Sequence, residues 1–567
     1  MKRILFTMLL CFCALQYGFS QGPKWVTKAK KSVFSIMTFD KDHNLLKTGN
    51  GFFISPTGVG VSDFDLFKGA YRAVVINTEG KEIPVECILG ADDTYDVVKF
   101  RVDLSLVKKV DYIDLNTSNI SIGDEVFVLP YSVEKDRACT PGKVKKVDVI
   151  RDNHKYYTLD LRTSTNLVSC PVLNASGMAV GLLQKSFDNS DSMTSHAVDA
   201  NFVAGLQISA LSFDDVSLKD IYIKKGLPEQ EDQALVYLMM VSSKLPLKEM
   251  GVLYSDFIKQ FPNSSEGYLK RAQYFLNIAE KSDDVLFAEN DLKKALEVSP
   301  TKDAILFSIA RLILNNQSLE VLNDLPNWQV ETALERIDEA IRIKDEAIYT
   351  QLRAEALTLL GRFDEALDCY SVVNKSEIAS PLSFYNTALV EKAKGSSSDV
   401  VLVLLDSCVN RLEKPYNFSA SPYLFERAQV LTSIGKHRDA LKDLDEYYYS
   451  VNGQVNSAFF YFREQVAVQA KLFQQALDDI ELAIQLDPNE PIYLAEKASI
   501  NLRVGRYEVA LETVNNLIAL DPNYAEAYRL QGVAYMQLKD DRACASFKKA
   551  KELGDLVVEQ LIDKHCK

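Results

Sequence analysis

Several side chains in this chain could do covalent chemistry, but their spacing matches no common catalytic motif. Ser169 and Cys170 are adjacent potential nucleophiles, and such a nucleophile needs a neighbouring base, usually a histidine. The N-terminal part contains His43, His154 and His196, which are predicted to lie on loops. No G-x-S-x-G, H-E-x-x-H or phosphate-binding glycine loop occurs. The residue types alone therefore identify no reaction.

Two longer segments carry a more specific pattern. Residues 51–70 read GFFISPTGVGVSDFDLFKGA, and residues 166–181 read NLVSCPVLNASGMAVG. These segments resemble those that hold the catalytic histidine and the nucleophilic serine in trypsin-fold proteases of the Deg/HtrA type. In that alignment Asp65 stands at the histidine position and Val168 at the serine position.

The resemblance covers most of residues 24–225 and keeps the family's order. Asp96, within GADDTYDVVKFRV, stands at the position of the catalytic aspartate. In the family, serine attacks, histidine takes its proton and aspartate orients the histidine. An aspartate cannot replace an imidazole that titrates near neutral pH, and Val168 has no nucleophilic atom. The resemblance therefore implies a pseudoprotease with a degenerate triad, Asp65, Asp96 and Val168, and no catalytic residue.

The turn that forms the oxyanion hole in that family is also altered. Asn166, Ser169 and Cys170 stand where the family has glycines, which adopt positive φ more readily. A serine- or cysteine-type endopeptidase with a non-standard active site, using Ser169 or Cys170, is the alternative hypothesis. Against it, a shift by one residue reverses the side-chain direction on an extended segment. The non-catalytic hypothesis predicts that Asp65 is solvated or paired and that Val168 packs.

The elements that would position these residues are short strands. Runs such as SVFSIMTF, GNGFFIS and YRAVVINT are rich in β-branched and aromatic residues and are separated by Gly, Pro, Asn and Asp. Many short strands with regular turn signals favour an antiparallel barrel or sandwich. The family resemblance implies two six-stranded β-barrels with the site between them.

The pattern changes near Leu227 to a helical period with self-similarity at about 34 residues. The tetrapeptide LDPN occurs at residues 486–489 and 520–523, and alanines recur at Ala440, Ala476, Ala510 and Ala543. This pattern resembles the tetratricopeptide repeat, with small residues at positions 8 and 20 and proline at position 32. We count about nine such units in residues 229–567. The predicted fold is thus a trypsin-like all-β double barrel followed by an all-α tetratricopeptide solenoid.

Repeats of this kind bind peptides or protein surfaces, and positions 5 and 9 of the first helix usually line the groove. Position 9 includes Glu355 and Leu389 in two of the repeats. Three consecutive repeats carry an aromatic residue at position 5, which favours an extended peptide as ligand. The alternative is that these rings only pack between neighbouring helices. The peptide-binding candidates are Gln351, Tyr385, Phe425, Gln429, Tyr461 and Gln465.

Composition limits the classes of partner. The net charge of −14 disfavours nucleic acid and anionic membrane surfaces. Residues 1–20 combine a charged start with a short apolar run, as in a secretory signal peptide, and no stretch is long enough for an integral membrane segment. We therefore expect an exported protein, periplasmic or extracellular.

The cysteines indicate neither a disulfide framework nor a zinc site. Seven cysteines follow the predicted signal peptide, and no C-x-x-C pair occurs. One bridge among Cys87, Cys139 and Cys170, or buried free thiols, are the two hypotheses. No metal or cofactor is predicted. The functional prediction is an exported protein-interaction scaffold with an inactive trypsin-like domain.

Overall fold

A computed structural model of the chain describes residues 24–107, 109–133, 139–162, 164–185 and 193–566. The predicted signal peptide, residues 1–20, lies outside the described residues. The chain divides into two compact units, Met1–Ser299 and Pro300–Lys567. The predicted domain limits, residues 24–225 and 229–567, stay a prediction.

The strands of the first unit form two closed antiparallel barrels. The first barrel has the strand order β1-β2-β3-β6-β5-β4, and the second has the order β10-β11-β12-β9-β8-β7. The strands of the first barrel are β1 (Val33–Phe39), β2 (Leu45–Phe53), β3 (Val59–Ser62), β4 (Arg72–Ile76), β5 (Glu82–Asp92) and β6 (Val97–Val102). The strands of the second are β7 (Glu125–Val128), β8 (Thr140–Val149), β9 (Lys155–Leu159), β10 (Pro171–Leu173), β11 (Ala179–Leu183) and β12 (Ser195–Asp199).

Aromatic rings fill the first barrel. The ring of Phe34 lies 4.6 Å from that of Phe53 and 5.9 Å from that of Phe100, measured between centroids, within the range of favourable ring contacts. Gly51 is required for the close approach of β2 to β3, because a Cβ there would collide with the carbonyl oxygen of Val61. The strands therefore curve tightly around a core of rings.

The two barrels meet along a second apolar cluster. Val33, Phe52 and Val61 of the first barrel pack in it with Leu173 and Leu182 of the second. Strand β2 thus contributes to both clusters, through Phe53 and Phe52, whereas β3 contributes Val61 to the second one.

Seven α-helices lie among the described residues of the first unit. Three are short: α1 (Val26–Ala29), α2 (Ala200–Gly205) and α3 (Val216–Lys219). The four longer ones are α4 (Glu231–Ser242), α5 (Leu247–Gln260), α6 (Ser265–Ile278) and α7 (Ser282–Val298). The core of the first barrel continues into α4 and α5 through Tyr237, Leu238 and Phe257. The first long helices are therefore part of the hydrophobic core of the barrel unit.

The second unit is helical. Within the described residues, the first fourteen helices of the second unit form seven successive pairs, and one short helix follows. Helices α4 to α7 of the first unit form two further pairs before them. The fold-class prediction is confirmed: two closed six-stranded barrels precede a long run of helices that is consistent with a tetratricopeptide solenoid. The helices of the second unit are α8 (Lys302–Asn315), α9 (Val330–Ile343), α10 (Ala347–Leu359), α11 (Phe363–Val373), α12 (Pro381–Lys394), α13 (Ser398–Val409), α14 (Ser421–Ser433), α15 (His437–Ser450), α16 (Ser457–Gln469), α17 (Phe473–Leu486), α18 (Pro491–Arg503), α19 (Tyr507–Leu520), α20 (Ala525–Gln537), α21 (Ala543–Glu552) and α22 (Glu559–His565).

The structure contradicts one of the two hypotheses about the cysteines. Cys87 and Cys139 carry free thiols, and every bridge within the group of Cys87, Cys139 and Cys170 needs one of them, so that bridge is wrong. A disulfide instead joins Cys544 to Cys566, with the two Cα atoms 5.5 Å apart. No local sequence pattern predicts this pair, because it depends on the return of α22 toward α21.

Candidate functional site

The first candidate site lies where the turn after β3 faces the second barrel. Asp65 is in this turn, and its backbone N–H donates a hydrogen bond to Oδ1 of Asp96 at 2.8 Å. The Asp65 carboxylate lies 2.7 Å from Nζ of Lys47, and its side chain is 56% exposed. Asp65 is therefore a surface carboxylate paired with a lysine, in a position where an imidazole would be needed for triad chemistry.

Asp96 precedes β6 and adopts a positive φ of 50°. Burial raises the pKa of its carboxyl, and the hydrogen bond from the Asp65 N–H opposes this increase. Two of the triad positions are thus in direct contact, and both carry carboxylates. Neither residue can take a proton from a nucleophile as a neutral histidine does.

The third position, Val168, is half-buried and is held by the first barrel. Nδ2 of Asn50 donates to the carbonyl oxygens of Asn166 and Val168, at 3.2 Å and 3.1 Å. The backbone N–H of Ser169 donates to the carbonyl of Leu183 at 2.8 Å. An oxyanion hole needs free N–H donors that point at the substrate. The Ser169 N–H is not free for this role, because it is already hydrogen-bonded within the barrel.

Ser169 and Cys170, the alternative nucleophiles, are both fully buried. Ser169 has a φ of 64°, a left-handed conformation that is uncommon outside glycine. The Cys170 thiol faces the carbonyl oxygen of Asn166 at 3.8 Å. No substrate can reach either side chain in this conformation.

Sequence reasoning missed Asp63, which comes directly after β3. Burial, and then the charge of Asp96, raises the pKa of Asp63 to about 7, while the Ser169 hydroxyl lowers it. The two groups face each other, although neither Oδ1 of Asp63 nor Oγ of Ser169 makes a hydrogen bond of regular geometry. The only sequence signal for Asp63 is a carboxylate at the end of a buried strand.

The histidines of the barrels have other neighbours. His154 lies 3.4 Å from the Asp199 carboxylate, and His196 lies 3.5 Å from the hydroxyl of Thr158. The prediction of loops is wrong for His196, which lies in β12 because it follows the alternation of that strand.

The second candidate site is on the first helices of the repeats. The position-5 aromatics are half-buried, and each ring contacts a ring of the next first helix. These pairs are Tyr385 with Tyr423 at 4.9 Å, Phe425 with Phe462 at 5.8 Å, and Tyr461 with Tyr493 at 5.2 Å. Each ring therefore packs between neighbouring repeats, and part of it stays accessible.

Two of the three polar candidates are more exposed than the aromatics. Gln429 and Gln465 are exposed, and Nε2 of Gln351 donates to the Glu355 carboxylate at 3.2 Å. Glu355 and Leu389 line a cavity of about 310 Å³ together with Tyr370, Asn386 and others. The predicted position-9 residues therefore do face an open space.

A set of arginines at position 7 of the repeats was also missed. Nε of Arg463 donates to Asp479 at 2.9 Å, and its Nη1 donates to Asp445 at 3.0 Å. Arg427 pairs in the same way with Asp443, at 2.7 Å, and with Asp406, at 3.1 Å. Each arginine joins the second helix of its own repeat to the second helix of the preceding repeat, so these ion pairs are structural.

Glu464 breaks the repeat pattern. It stands at position 8, where the other units from α10 on have a small residue: Ala354, Ala388, Ala428, Ala498 and Gly532. Its side chain is fully buried, and neither carboxyl oxygen has a hydrogen-bond partner among the described residues. Burial, and then the charge of Glu496, raises the pKa of Glu464 to about 8. A buried carboxyl without a partner is costly and is a candidate for function.

Over the described part of the chain, no group of three or more His, Cys, Asp or Glu side chains is arranged to hold a metal ion. Among the helices that the structure describes, none combines the length and the apolar character needed to cross a bilayer.

Comparison with known proteins supports the helical part. A tetratricopeptide repeat family model matches residues 496–554. The chain is 24% identical over 253 residues to Hsp70-Hsp90 organizing protein 2 of Arabidopsis thaliana, covering 42% of this chain and 41% of that protein. It is 24% identical over 271 residues to Hsp70-Hsp90 organizing protein of Triticum aestivum, covering 42% and 44%. Tetratricopeptide repeat protein 13 of Homo sapiens is 24% identical over 180 residues, covering 31% and 20%.

The matches therefore extend over less than half the length of each of these three relatives. They concern tetratricopeptide repeat proteins, whose repeats mediate protein–protein interaction. Residues 496–554 match this type of repeat, and the paired helices before them are consistent with it.

Proposed function

We propose that the chain is an exported, non-catalytic scaffold in which a trypsin-like pseudoprotease domain is joined to a peptide-binding repeat array. The observation that carries the proposal is the run of paired helices, since stacked pairs expose a long surface suited to extended ligands. The cavity beside Glu355 and Leu389 supplies one open recess on it.

Three features of the site support the proposal that the barrels are inactive. The Asp65 carboxylate forms an ion pair with Lys47. Val168 carries no nucleophilic atom. Ser169 and Cys170 are enclosed. Each of the three classical roles, nucleophile, base and oxyanion donor, therefore lacks a group that could fill it.

Export is supported by two independent observations. The first twenty residues read as a signal peptide. The disulfide between Cys544 and Cys566 is typical of proteins from oxidising compartments. Cytosolic proteins rarely keep such a bond.

The binding function can be tested by capturing partners from the exported fraction with cross-linking. We expect the full-length mature chain to capture a partner and the variant Tyr385→Ala with Tyr461→Ala to lose it. Losing an aromatic anchor typically costs about 2 kcal/mol or more of binding free energy. A matched control is Phe418→Ala with Tyr449→Ala, because these rings are 74% and 72% exposed and lie outside position 5.

Thermal unfolding of both variants separates binding from packing. If the rings only pack, the double variant melts earlier and its folded fraction captures the partner normally, which would exclude them as binding residues. If the control loses capture as well, the effect is not specific to position 5.

A further inference from the structure

The cavity of about 310 Å³ beside Glu355 lies across three successive repeats. Its lining comes from their first helices, α8, α10 and α12, together with α11. Leu389, at position 9 of α12, follows the aromatic Tyr385 by four positions, and residues with this spacing share a helix face. The cavity, which we call the repeat cavity, is therefore on the same face as the position-5 aromatics.

The repeat cavity combines an exposed apolar rim with an enclosed polar part. Leu359 is 60% exposed, whereas Tyr370 is 2% exposed. Burial, and then the charge of Glu355, raises the pKa of the Tyr370 hydroxyl. Asn386 and Thr358 lower this pKa by hydrogen bonding. Polar atoms of three helices therefore meet in the enclosed part, and further aliphatic side chains complete the walls: Leu314, Leu389 and Val390.

Glu355 determines the charge of the repeat cavity. Among the described residues that line the cavity, Glu355 alone is charged, and its side chain is half-buried. Its Oε1 accepts a hydrogen bond from Nε2 of Gln351 at 3.2 Å, and this neutral amide supplies no positive charge. A carboxylate in a recess with apolar walls is complemented by a cation. The cavity is therefore open to a ligand that brings one.

We propose that the repeat cavity binds a lysine side chain of an extended peptide partner, with the ammonium group on Glu355. This inference rests on the proposed function, because it assigns the chemistry of the ligand on the same repeat array. The carbon chain of lysine packs on apolar surface while its charged end keeps polar partners. An ammonium group has three donors that point in different directions, and acceptor oxygens come from three helices: Glu355, Tyr370 and Asn386.

The same geometry favours lysine over arginine. A guanidinium group binds a carboxylate best through two parallel hydrogen bonds, one to each oxygen. Oε1 of Glu355 already accepts the Gln351 amide, so such a two-bond contact would compete with it. A neutral side chain would leave Glu355 without a cation, and an acidic one would be repelled. The expected order of affinity is lysine, then arginine, then glutamine, then glutamate.

The test uses four fluorescein-labelled dodecapeptides in which alanine alternates with lysine, arginine, glutamine or glutamate. Binding to the full mature chain is measured by fluorescence anisotropy in about 0.15 M salt, where charges more than about 8 Å apart are largely screened. This salt suppresses general attraction between a basic peptide and an acidic protein. We expect the lysine peptide to bind about fivefold or more tightly than the glutamine peptide.

Glu355→Gln removes the charge and keeps the shape of the side chain. It should weaken binding of the lysine peptide about fivefold or more, because the ammonium loses its charged partner. Glu377→Gln is the matched control, since it removes one negative charge from an exposed position between α11 and α12 that does not line the cavity. It should change the affinity by less than about twofold.

A second variant places the proposed ligand inside the chain. Leu359 lies four residues after Glu355 on α10, a spacing at which a lysine pairs with a preceding glutamate. Leu359→Lys should therefore fill the cavity and reduce binding of the lysine peptide about fivefold or more. Leu486→Lys adds the same charge at the end of α17, where the leucine is 54% exposed, and should have less than about a twofold effect. Helical circular dichroism checks the fold of each variant.

The proposal is overturned if the lysine and glutamine peptides bind equally, or if Glu355→Gln and Glu377→Gln have equal effects. Equal binding of the lysine and arginine peptides would overturn the choice of lysine. Partner capture by cross-linking is run in parallel with Glu355→Gln. Unchanged capture by this variant would refute the role of the cavity and leave the scaffold function standing, whereas no capture by the wild-type chain would refute the scaffold function itself.

Discussion

Buried polar side chains have different partners in the barrels and in the repeats. In the repeats, the buried Asp479 and Asp443 are each matched by an arginine that also reaches the preceding repeat. At the barrel junction, Asp63 and Ser169 face each other without a regular hydrogen bond. The difference indicates that the ion pairs of the repeats hold the array together, whereas the barrel junction encloses polar groups without regular hydrogen bonds.

Glu464 is the exception in the repeats, and it resembles Asp63 more than it resembles Asp479. Oδ1 of Asp63 and both carboxyl oxygens of Glu464 are enclosed without a hydrogen-bond partner among the described residues. The pKa is raised to about 8 for Glu464 and to about 7 for Asp63. Carboxyl groups with strongly perturbed pKa values cluster at functional sites in proteins. The comparison therefore separates structural carboxylates from candidate functional ones within a single chain.

The largest effect is expected from cutting the chain between the barrels and the first helices. Fragment 24–225 loses Tyr237, Leu238 and Phe257, which belong to the core of the first barrel. We expect it to melt earlier than fragment 24–299 or to aggregate, because apolar surface of the barrel becomes exposed. Fragment 300–567 should be strongly helical. Equal melting temperatures for fragments 24–225 and 24–299 would show that the barrels do not depend on α4 and α5.

The next largest effect concerns the paired charges. Arg463→Ala leaves Asp479, whose side chain is 2% exposed, without its partner. Breaking a buried pair from one side typically costs about 3–5 kcal/mol, measured here from the helical signal in urea unfolding. Lys442→Ala is the control, because its pair with Asp439 is exposed on both sides and such pairs contribute about 0–1 kcal/mol. Similar losses in the two variants would contradict a structural role for the position-7 arginines.

Many of these features could be predicted from the sequence, and others could not. The strand GNGFFIS and the small residues of the repeats were readable, because alternation and helical spacing are local. Arg463 and Asp445 are ordinary charged residues eighteen positions apart, and only the stacking of repeats brings them together. The repeat pattern predicted a small residue at the position of Glu464, and the absence of a hydrogen-bond partner for its carboxyl depends on the neighbouring helices.

The site at the barrel junction was predictable only as a set of positions. The alignment located Asp65, Asp96 and Val168, and the structure brings the first two into contact. The enclosed pair of Asp63 and Ser169 depends on how β3 and the segment before β10 face each other across two barrels. No local pattern encodes such a contact.

A smaller effect is expected from pH. The folded-state pKa of Asp63, about 7, is above the ordinary value, so the folded protein keeps a proton that the unfolded chain has lost. Its contribution is fully present below about pH 4 and is lost as pH rises to about 7, by at most about 1.4 kcal/mol per pH unit. Asp63→Asn should therefore become more stable relative to the wild type between about pH 5 and about pH 8. Asp65→Asn, at an exposed paired position, should show a nearly flat difference; a flat difference for Asp63→Asn would refute its buried character.

The central claim, that the barrels have lost protease chemistry, is tested most directly by labelling the full mature chain with a fluorophosphonate probe. Val168 at the serine position and the enclosed Ser169 and Cys170 predict no labelling above that of a heat-denatured sample. Labelling of the native chain that disappears in Ser169→Ala or Cys170→Ala would contradict the account and would assign an endopeptidase active site to the barrels.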